Sequence, residues 1–212
     1  MKHIDIELEG WEREHLFKYY LDADMPYIIV SANVDVTNAY RFAKENKISF
    51  NLVMVYLANK AADSIKNYRY RMKDGKPFEI EHNIPVVNHL KPGTDIFVSA
   101  EAKWPTDDIV EFCNDTHERF FLPENEDFTK SVTGKSDIIN YSTLPWIQYT
   151  HFFRTVIKCG EDNNPKLSFG KYFHEGDRIM MPVSSQTHHG LMDGHHVGMF
   201  YERLQEGIDN LK

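Results

Sequence analysis

The stretch QTHHGLMDGHHVGM, residues 186–199, joins two segments with different patterns and contains four of the chain's eleven histidines. Residues 178–188, which lead into it, have the apolar and β-branched composition of a strand. Beyond it, apolar side chains recur at the spacing of one helix face, at Val197, Phe200, Leu204, Ile208 and Leu211. Gly190 and Gly194 lie between the two segments, so the sequence predicts a tight strand-to-helix turn.

This turn carries a candidate general base. His189 and Asp193 are four residues apart, so an imidazole and a carboxylate can share one side of the turn. The neighbouring histidines leave two other interpretations open, namely a metal site and ordinary residues of the first helical turn. The H-E-x-x-H pattern of zinc sites is absent, which disfavours the metal. We therefore expect no metal, and we assign His195 and His196 to the first turn of the helix.

The composition limits the class of protein. The 212 residues are 42% hydrophobic, which suits one domain, residues 1–212, with a substantial core. A formal net charge of −8 disfavours nucleic-acid and anionic-membrane partners, which select basic surfaces. The N-terminal residues lack the apolar run of a signal peptide and no stretch reaches transmembrane length, so we expect a cytoplasmic protein. Cys113 and Cys159 lack C-x-x-C spacing and are expected to be free thiols.

The periodicity along the chain predicts many strands and few helices. Residues 50–65 have the strongest helical pattern, and Asp74-Gly75 indicates the turn of a β-hairpin. Thr37 and Thr106 stand where helix N-caps are expected. Further helices are predicted at 11–20, 107–121 and after the histidine-rich turn, and strands at 27–36, 68–72, 77–80, 84–90, 96–102, 138–141, 146–153, 166–173 and 178–188. This pattern is typical of an α+β sandwich.

The histidine-rich turn also resembles a known signature. H-H-x-x-x-D-G at 188–194, followed by a helix, is similar to the active-site motif of the chloramphenicol acetyltransferase family, whose fold is shared by the catalytic domains of dihydrolipoamide acyltransferases. Five further landmarks follow the family's order: W-x-R-x-x-x-F-x-x-Y at 11–20, V-D-V-T at 34–37, Y-R-M-K-D-G at 70–75, N-Y-S-T-L-P-W at 140–146, and K-Y before G-D between 171 and 177. The resemblance implies a two-layer sandwich with a large mixed β-sheet and peripheral helices.

The resemblance also implies roles for individual residues. His189 corresponds to the family's general base, and Ser142 to the serine that contacts the reacting oxyanion. Asp193 corresponds to a structural carboxylate that pairs with the arginine at Arg13. The chemistry is consistent with these residue types, because acyl transfer from a thioester needs a base, an oxyanion donor and a proton for the departing thiolate. The sequence has no G-x-S-x-G elbow that would indicate a serine nucleophile.

By the same resemblance, the donor is acetyl-CoA and the acceptor is a small molecule with a hydroxyl group. The family is homotrimeric, and each active site lies between subunits. Tyr172, Ser168 and Lys171 correspond to cofactor-side positions, with Tyr172 near the CoA adenine and Ser168 at a position that holds a water. The acceptor-pocket positions are Tyr20, Phe97, Phe152 and Arg154.

The sequence departs from the family where the acceptor binds. Arg154 stands at a position usually occupied by leucine, and Asp24 falls at or near another apolar position. An ion pair between the two is left open by the sequence. We therefore keep three hypotheses: a chloramphenicol acetyltransferase that confers antibiotic resistance, an acyltransferase for another hydroxyl or amine metabolite, and a non-catalytic trimeric homologue.

Overall fold

The computed structural model describes residues 2–122, 130, 132–158 and 160–211, so the free-thiol prediction for Cys159 lies outside the described residues. Cys113 is a buried free thiol. The helices are α1 Glu14–Leu21, α2 Thr37–Glu45, α3 Phe50–Asp63, α4 Ile109–Arg119 and α5 Gly194–Asp209. The strands are β1 His3–Asp5, β2 Tyr27–Asp35, β3 Tyr70–Lys73, β4 Lys76–Ile80, β5 Ile84–Leu90, β6 Phe97–Glu101, β7 Ile138–Leu144, β8 Lys166–Gly170, β9 Phe173–Glu175 and β10 Arg178–His188.

The described strands form two sheets. The large sheet has the order β2-β10-β8-β7-β5-β6, with β9 also paired to β10. It is mixed, because β7 runs parallel to β5 and β8 while the other pairs are antiparallel. The small sheet has the order β1-β4-β3, and its β3–β4 pair is the predicted hairpin. The predicted α+β sandwich with a large mixed sheet is confirmed.

Helices α3 and α5 cover one face of the large sheet. Alternate strand residues such as Tyr141, Leu167 and Val183 join the apolar residues of these helices in one buried core. Because successive side chains of a strand point to opposite faces, the residues that follow each of these, Ser142, Ser168 and Ser184, lie on the face away from the helices. The sequence alternation therefore divides the sheet into an apolar face and a polar face.

The polar face is covered by an irregular segment. The predicted strand at 146–153 is wrong, because this segment pairs with no neighbouring strand and instead crosses the sheet. Tyr149 donates its buried hydroxyl to the carbonyl of Ser168 at 2.8 Å, and the backbone N–H of Lys171 donates to the Ile147 carbonyl at 2.8 Å. Tyr149 is the buried residue of this segment, whereas Trp146 and Ile147 are exposed. Strand β7 extends three residues beyond the predicted strand at 138–141, to Leu144, and so includes Ser142.

Two predicted helix caps are also wrong. Asp35 accepts hydrogen bonds from both the N–H and the hydroxyl of Thr37, so Val36 occupies the N-cap position of α2. At α4 the N-cap is Asp108, whose carboxylate accepts from the N–H groups of residues 110 and 111. At α4 a carboxylate, which is the stronger acceptor, takes the bonds assigned to a threonine, whereas at α2 Thr37 is itself the donor and the N-cap makes no side-chain bond. Among the described residues, no helix combines the length and the apolar character needed to cross a membrane.

Candidate active site

Arg13 ties the first helix to the turn between β10 and α5. Its guanidinium binds Asp193 with both ends of its fork, Nη1 to Oδ2 at 2.6 Å and Nη2 to Oδ1 at 3.1 Å. It also donates to the carbonyls of His189 at 3.3 Å and Gly190 at 3.4 Å. The Arg13 side chain is only 6% exposed, whereas that of Asp193 is 33% exposed. One buried cation therefore holds both a carboxylate and two carbonyls of the turn.

The ring of His189 is oriented by its Nδ1 atom. Nδ1 lies 3.1 Å from the Met192 carbonyl and 3.4 Å from Oδ1 of Asp193. A carbonyl oxygen can only accept a hydrogen bond, so Nδ1 carries the proton of the neutral ring. The lone pair is then on Nε2, which is the atom that can remove a proton from an acceptor. The imidazole has the tautomer that a general base requires.

Two further contacts fix the position of His189. The ring of Tyr20 stacks on it, with ring centroids 4.1 Å apart and planes 12° from parallel. The backbone N–H of His189 donates to the Pro26 carbonyl at 2.8 Å. Hydrogen bonding to Arg13 holds the pKa of Asp193 below its usual range, so the carboxylate beside the ring remains ionised near neutral pH. The geometry brings together four residues predicted from the sequence: Arg13, Tyr20, His189 and Asp193.

His188 has a different environment from its neighbour. It is 1% exposed, and its Nδ1 accepts the backbone N–H of Gly190 at 3.2 Å. Burial lowers the pKa of His188 to about 4, so this ring is neutral and enclosed. A Cβ on Gly190 would lie 3.2 Å from the same ring, so a larger residue there would force the ring to shift. His188 supports the turn from inside the fold.

The pKa of His188 predicts an acid sensitivity. Its ordinary value is 6.5 and its folded value is about 4, so the unfolded chain binds more protons between these pH values. The contribution of neutral His188 to the free energy of unfolding is fully present above pH 6.5 and is lost as pH falls toward 4. The free energy of unfolding should be about 2 kcal/mol lower at pH 5. Urea unfolding at pH 7.5 and pH 5 measures this difference. The variant His188→Asn keeps an acceptor for the Gly190 N–H without the titration, and an equal loss in that variant would contradict the assignment.

The remaining histidines of the turn belong to the helix start. Nδ1 of His196 accepts the backbone N–H of Asp193 at 3.0 Å, and His195 is exposed. These positions fit the first-turn interpretation. In the part of the chain that the structure describes, no group of three or more histidine, cysteine, aspartate or glutamate side chains could hold a metal ion.

Ser142 lies in a row of serines across the polar face of the sheet. The register places Ser142 opposite Ser168 on β8, Ser168 opposite Ser184 on β10, and Ser184 opposite Ser31 on β2. The hydroxyls of Ser31 and Ser184 are 2.5 Å apart. The Ser168 hydroxyl is buried and has no hydrogen-bond partner. A buried polar group of this kind is costly unless a bound partner satisfies it, which distinguishes Ser168 from the paired hydroxyls of Ser31 and Ser184.

Ser142 and His189 are far apart within one chain. Ser142 is level with Ser184, which is two strands away and five residues before His189. At strand dimensions this separation is about 16 Å along the sheet and about 10 Å across it. The two predicted catalytic side chains therefore cannot contact one substrate bond in the same subunit.

Arg154 lies on the polar face, one row from Ser142. Its Nη1 donates to the Asn140 carbonyl at 2.7 Å, and its Nη2 donates to the side-chain oxygen of Asn140. Gln186 binds the Arg154 backbone from β10, two strands away from β7, accepting from its N–H at 2.8 Å and donating to its carbonyl at 3.2 Å. Burial lowers the pKa of Arg154 to about 10. The Asp24 pair left open by the sequence is not formed, and Asp24 is exposed.

Sequence reasoning missed Asn140 and Gln186 as neighbours of Arg154. A signal was available: each lies two residues along its strand from a serine of the row, Asn140 before Ser142 and Gln186 after Ser184, and therefore on the same face. Strand alternation could not show that the irregular segment brings Arg154 back over this row.

The other predicted site residues lie in separate regions. Phe97 begins the edge strand β6 and is 49% exposed, whereas Phe152 is partly buried with its ring 5.5 Å from that of Tyr149. Tyr172 is 39% exposed and its ring lies 5.4 Å from that of Tyr40 and 6.0 Å from that of Phe50. Lys171 is exposed beside it. This aromatic group lies beyond the end of β8, next to the start of α3, and its rings meet at angles of 57° to 89°.

Comparisons with known proteins identify similar sequences and structures. The family model for chloramphenicol acetyltransferase matches residues 1–205. The chain is 26% identical to chloramphenicol acetyltransferase 3 of Escherichia coli over 209 residues, covering 97% of each protein, and 24% identical to the chloramphenicol acetyltransferase of Clostridium perfringens, covering 99% of this chain and 96% of that protein. A solved chloramphenicol acetyltransferase structure is similar with a TM-score of 0.89, 25% identity and full coverage of both chains. The dihydrolipoamide acetyltransferase of Azotobacter vinelandii has a TM-score of 0.64 at 15% identity, covering 92% of this chain and 85% of that one.

Proposed function

Because this chain belongs to the chloramphenicol acetyltransferase family, we propose that it transfers an acetyl group from acetyl-CoA to the hydroxyl of a small molecule, with His189 as general base. The observation that carries this proposal is the hydrogen bond from Nδ1 of His189 to the Met192 carbonyl. It leaves Nε2 as the free acceptor of the ring. A non-catalytic homologue would have no need of this tautomer or of the stacked Tyr20 that holds the ring in place.

The proposed reaction needs no covalent enzyme intermediate. Nε2 of His189 takes the acceptor's hydroxyl proton while that oxygen forms a bond to the thioester carbonyl carbon. The resulting tetrahedral oxyanion accepts a hydrogen bond from the Ser142 hydroxyl. Collapse breaks the carbon–sulfur bond, and the protonated His189 returns its proton to the CoA thiolate. The products are the acetyl ester and CoA.

The separation of Ser142 from His189 supports an active site between two subunits. Each chain supplies His189 with its Tyr20 wall to one site, and Ser142 with Arg154 to another. The proposed assembly is the homotrimer implied by the family resemblance, since two complementary patches on one chain close into a ring. We also propose that residues 1–212 form one domain and that the enzyme is cytoplasmic.

The substrates are assigned to the two ends of the polar face. Tyr172 and Lys171 are the proposed contacts of CoA, because an exposed aromatic ring and a cation suit an adenine and a phosphate. Ser168 is proposed to hold a water near the reacting centre, which would satisfy its buried hydroxyl. Tyr20, Phe97, Phe152 and Arg154 are the proposed acceptor contacts. Chloramphenicol is one candidate acceptor, and another hydroxyl or amine metabolite is the alternative.

Replacing Ser142 with alanine is expected to lower kcat by roughly 10²–10³-fold and to leave the substrate KM values nearly unchanged. The hydroxyl acts on charge that exists only in the transition state, so its loss does not weaken substrate binding. Thiol release from acetyl-CoA, measured with a panel of hydroxyl and amine acceptors, gives both constants. An unchanged kcat would remove Ser142 from the mechanism.

Mixing two inactive variants tests the division of the site. Ser142→Ala and His189→Ala chains, unfolded and refolded together, should recover about a quarter of wild-type activity, because random assembly puts an intact serine opposite an intact histidine at one interface in four. Each variant refolded alone is the control. No recovery in the mixture would contradict an active site shared between subunits.

A further inference from the structure

Two partly buried cations, Arg154 and Lys166, lie beside Ser142, together with one partly buried carboxylate, Asp162. Lys166 pairs with Asp162 at 2.7 Å, and their side chains are 11% and 16% exposed. Arg154 binds the neutral side chain and backbone of Asn140, and among the described residues no carboxylate forms an ion pair with it. The cluster of Arg154, Lys166 and Asp162 therefore carries one uncompensated positive charge inside the fold.

The position of this charge follows from the register of the sheet. Asn140, Lys166 and Gln186 form one row on the polar face, and Ser142, Ser168 and Ser184 form the next. Adjacent rows on one face are about 7 Å apart. Arg154 is bound over the first row. Its guanidinium therefore lies about one row spacing, roughly 7 Å, from the Ser142 hydroxyl, which is proposed to stabilise the oxyanion.

A partly buried guanidinium whose hydrogen-bond partners are neutral is costly to maintain. Burial disfavours its charge, and an anion in the same site would offset that cost. Arginine has five N–H donors, and the guanidinium uses two groups on Asn140, so donors remain for a ligand. Its flat fork matches a carboxylate, and Gln186 holds the backbone of Arg154 in place.

We propose that the acceptor is a hydroxy acid whose carboxylate binds Arg154, with Lys166 adding to the attraction. This inference rests on the proposed function, because it names the substrate class of that same site. Arg154 lies one row from Ser142. The carboxylate and the reacting hydroxyl of the acceptor are therefore separated by a few carbon atoms. A neutral, largely apolar antibiotic would leave the guanidinium unpaired and is a poor acceptor.

The experiment compares hydroxy acids with their own amides. 3-Hydroxybutyrate, 4-hydroxybutyrate and 3-phenyllactate are each paired with the corresponding amide, and chloramphenicol is included as a neutral acceptor. Wild-type kcat/KM, measured by thiol release from acetyl-CoA, should favour the best acid over its amide by roughly 10- to 100-fold. Arg154→Gln should abolish the preference, and Arg154→Leu should raise kcat/KM for chloramphenicol about 10- to 200-fold. Arg178→Gln, at an exposed arginine paired with Glu175, is the matched control and should keep the preference.

The outcomes separate this proposal from the function on which it rests. If turnover depends on His189 but acids and amides react alike, or if chloramphenicol is turned over efficiently by the wild type, the carboxylate proposal is overturned and the acetyltransferase remains. If no acceptor is turned over, calorimetry with the same acids and the CoA-bound enzyme decides: acid binding that Arg154→Gln removes supports the proposal, and no difference overturns it. Circular dichroism checks the fold, and Arg154→Lys, which keeps the charge but lacks the fork, serves if the glutamine variant is unfolded.

Discussion

Replacing His189 with alanine is expected to lower kcat for CoA-dependent acetylation by about 10²–10⁴-fold, which is the range of general-base contributions. The ring is the group that both removes the acceptor proton and returns it to the thiolate, so no other step replaces its loss. Its side chain is 28% exposed, and its removal opens no closed core. The variant should therefore fold and still bind CoA, as measured by calorimetry and circular dichroism.

The controls for His189 come from the same turn. His195→Ala removes an exposed imidazole six residues away in the first turn of α5 and should leave kcat within a few-fold of wild type. His188→Ala should reduce stability more than activity, because that ring is enclosed and neutral. Retention of more than about a hundredth of wild-type kcat by His189→Ala would remove it from the role of general base.

The geometry of the turn could be predicted from the sequence because short spacings determined it. An imidazole and a carboxylate four positions apart, each followed by a glycine, favour a turn in which both lie on the same side, and the structure has this arrangement. The long strand before the turn and the long amphipathic helix after it were also predictable, since each has one dominant period. The family motif added Arg13, which is 180 positions from Asp193 along the chain and which no local pattern connects to it.

The remaining features depend on tertiary contacts. The protonation pattern of His189 is set by the position of the Met192 carbonyl, which is a property of the folded turn. The residues at 146–153 are rich in the aromatic residues that strands favour, but their backbone pairs with no strand and Tyr149 is the one buried side chain among them. The sequence left an ion pair of Arg154 open, and in the structure its guanidinium donates to Asn140 instead.

Alanine at either Arg13 or Asp193 is expected to reduce both stability and activity. Breaking a fully buried ion pair costs roughly 3–5 kcal/mol. The side chain of Asp193 is 33% exposed, so the loss of the ion pair in Arg13→Ala should cost less than that. Arg13→Ala also removes the donors for the carbonyls of His189 and Gly190. Asp193→Ala leaves a guanidinium that is 6% exposed without its carboxylate, so it should be comparably harmful despite losing fewer bonds. Urea unfolding measures both free energies.

A double-mutant cycle separates the ion pair from the carbonyl contacts. The double alanine variant should be less destabilised than the sum of the single variants, with a coupling of about 1–3 kcal/mol, because both single variants lose the same pair. The carbonyl contacts are lost whenever Arg13 is replaced, so they cancel from the coupling. Asp193→Asn is the matched control: it keeps the acceptor without the charge and should retain part of the coupling. Strict additivity would show that Arg13 acts through the two carbonyls alone, and the position of His189 would then depend on its backbone rather than on Asp193.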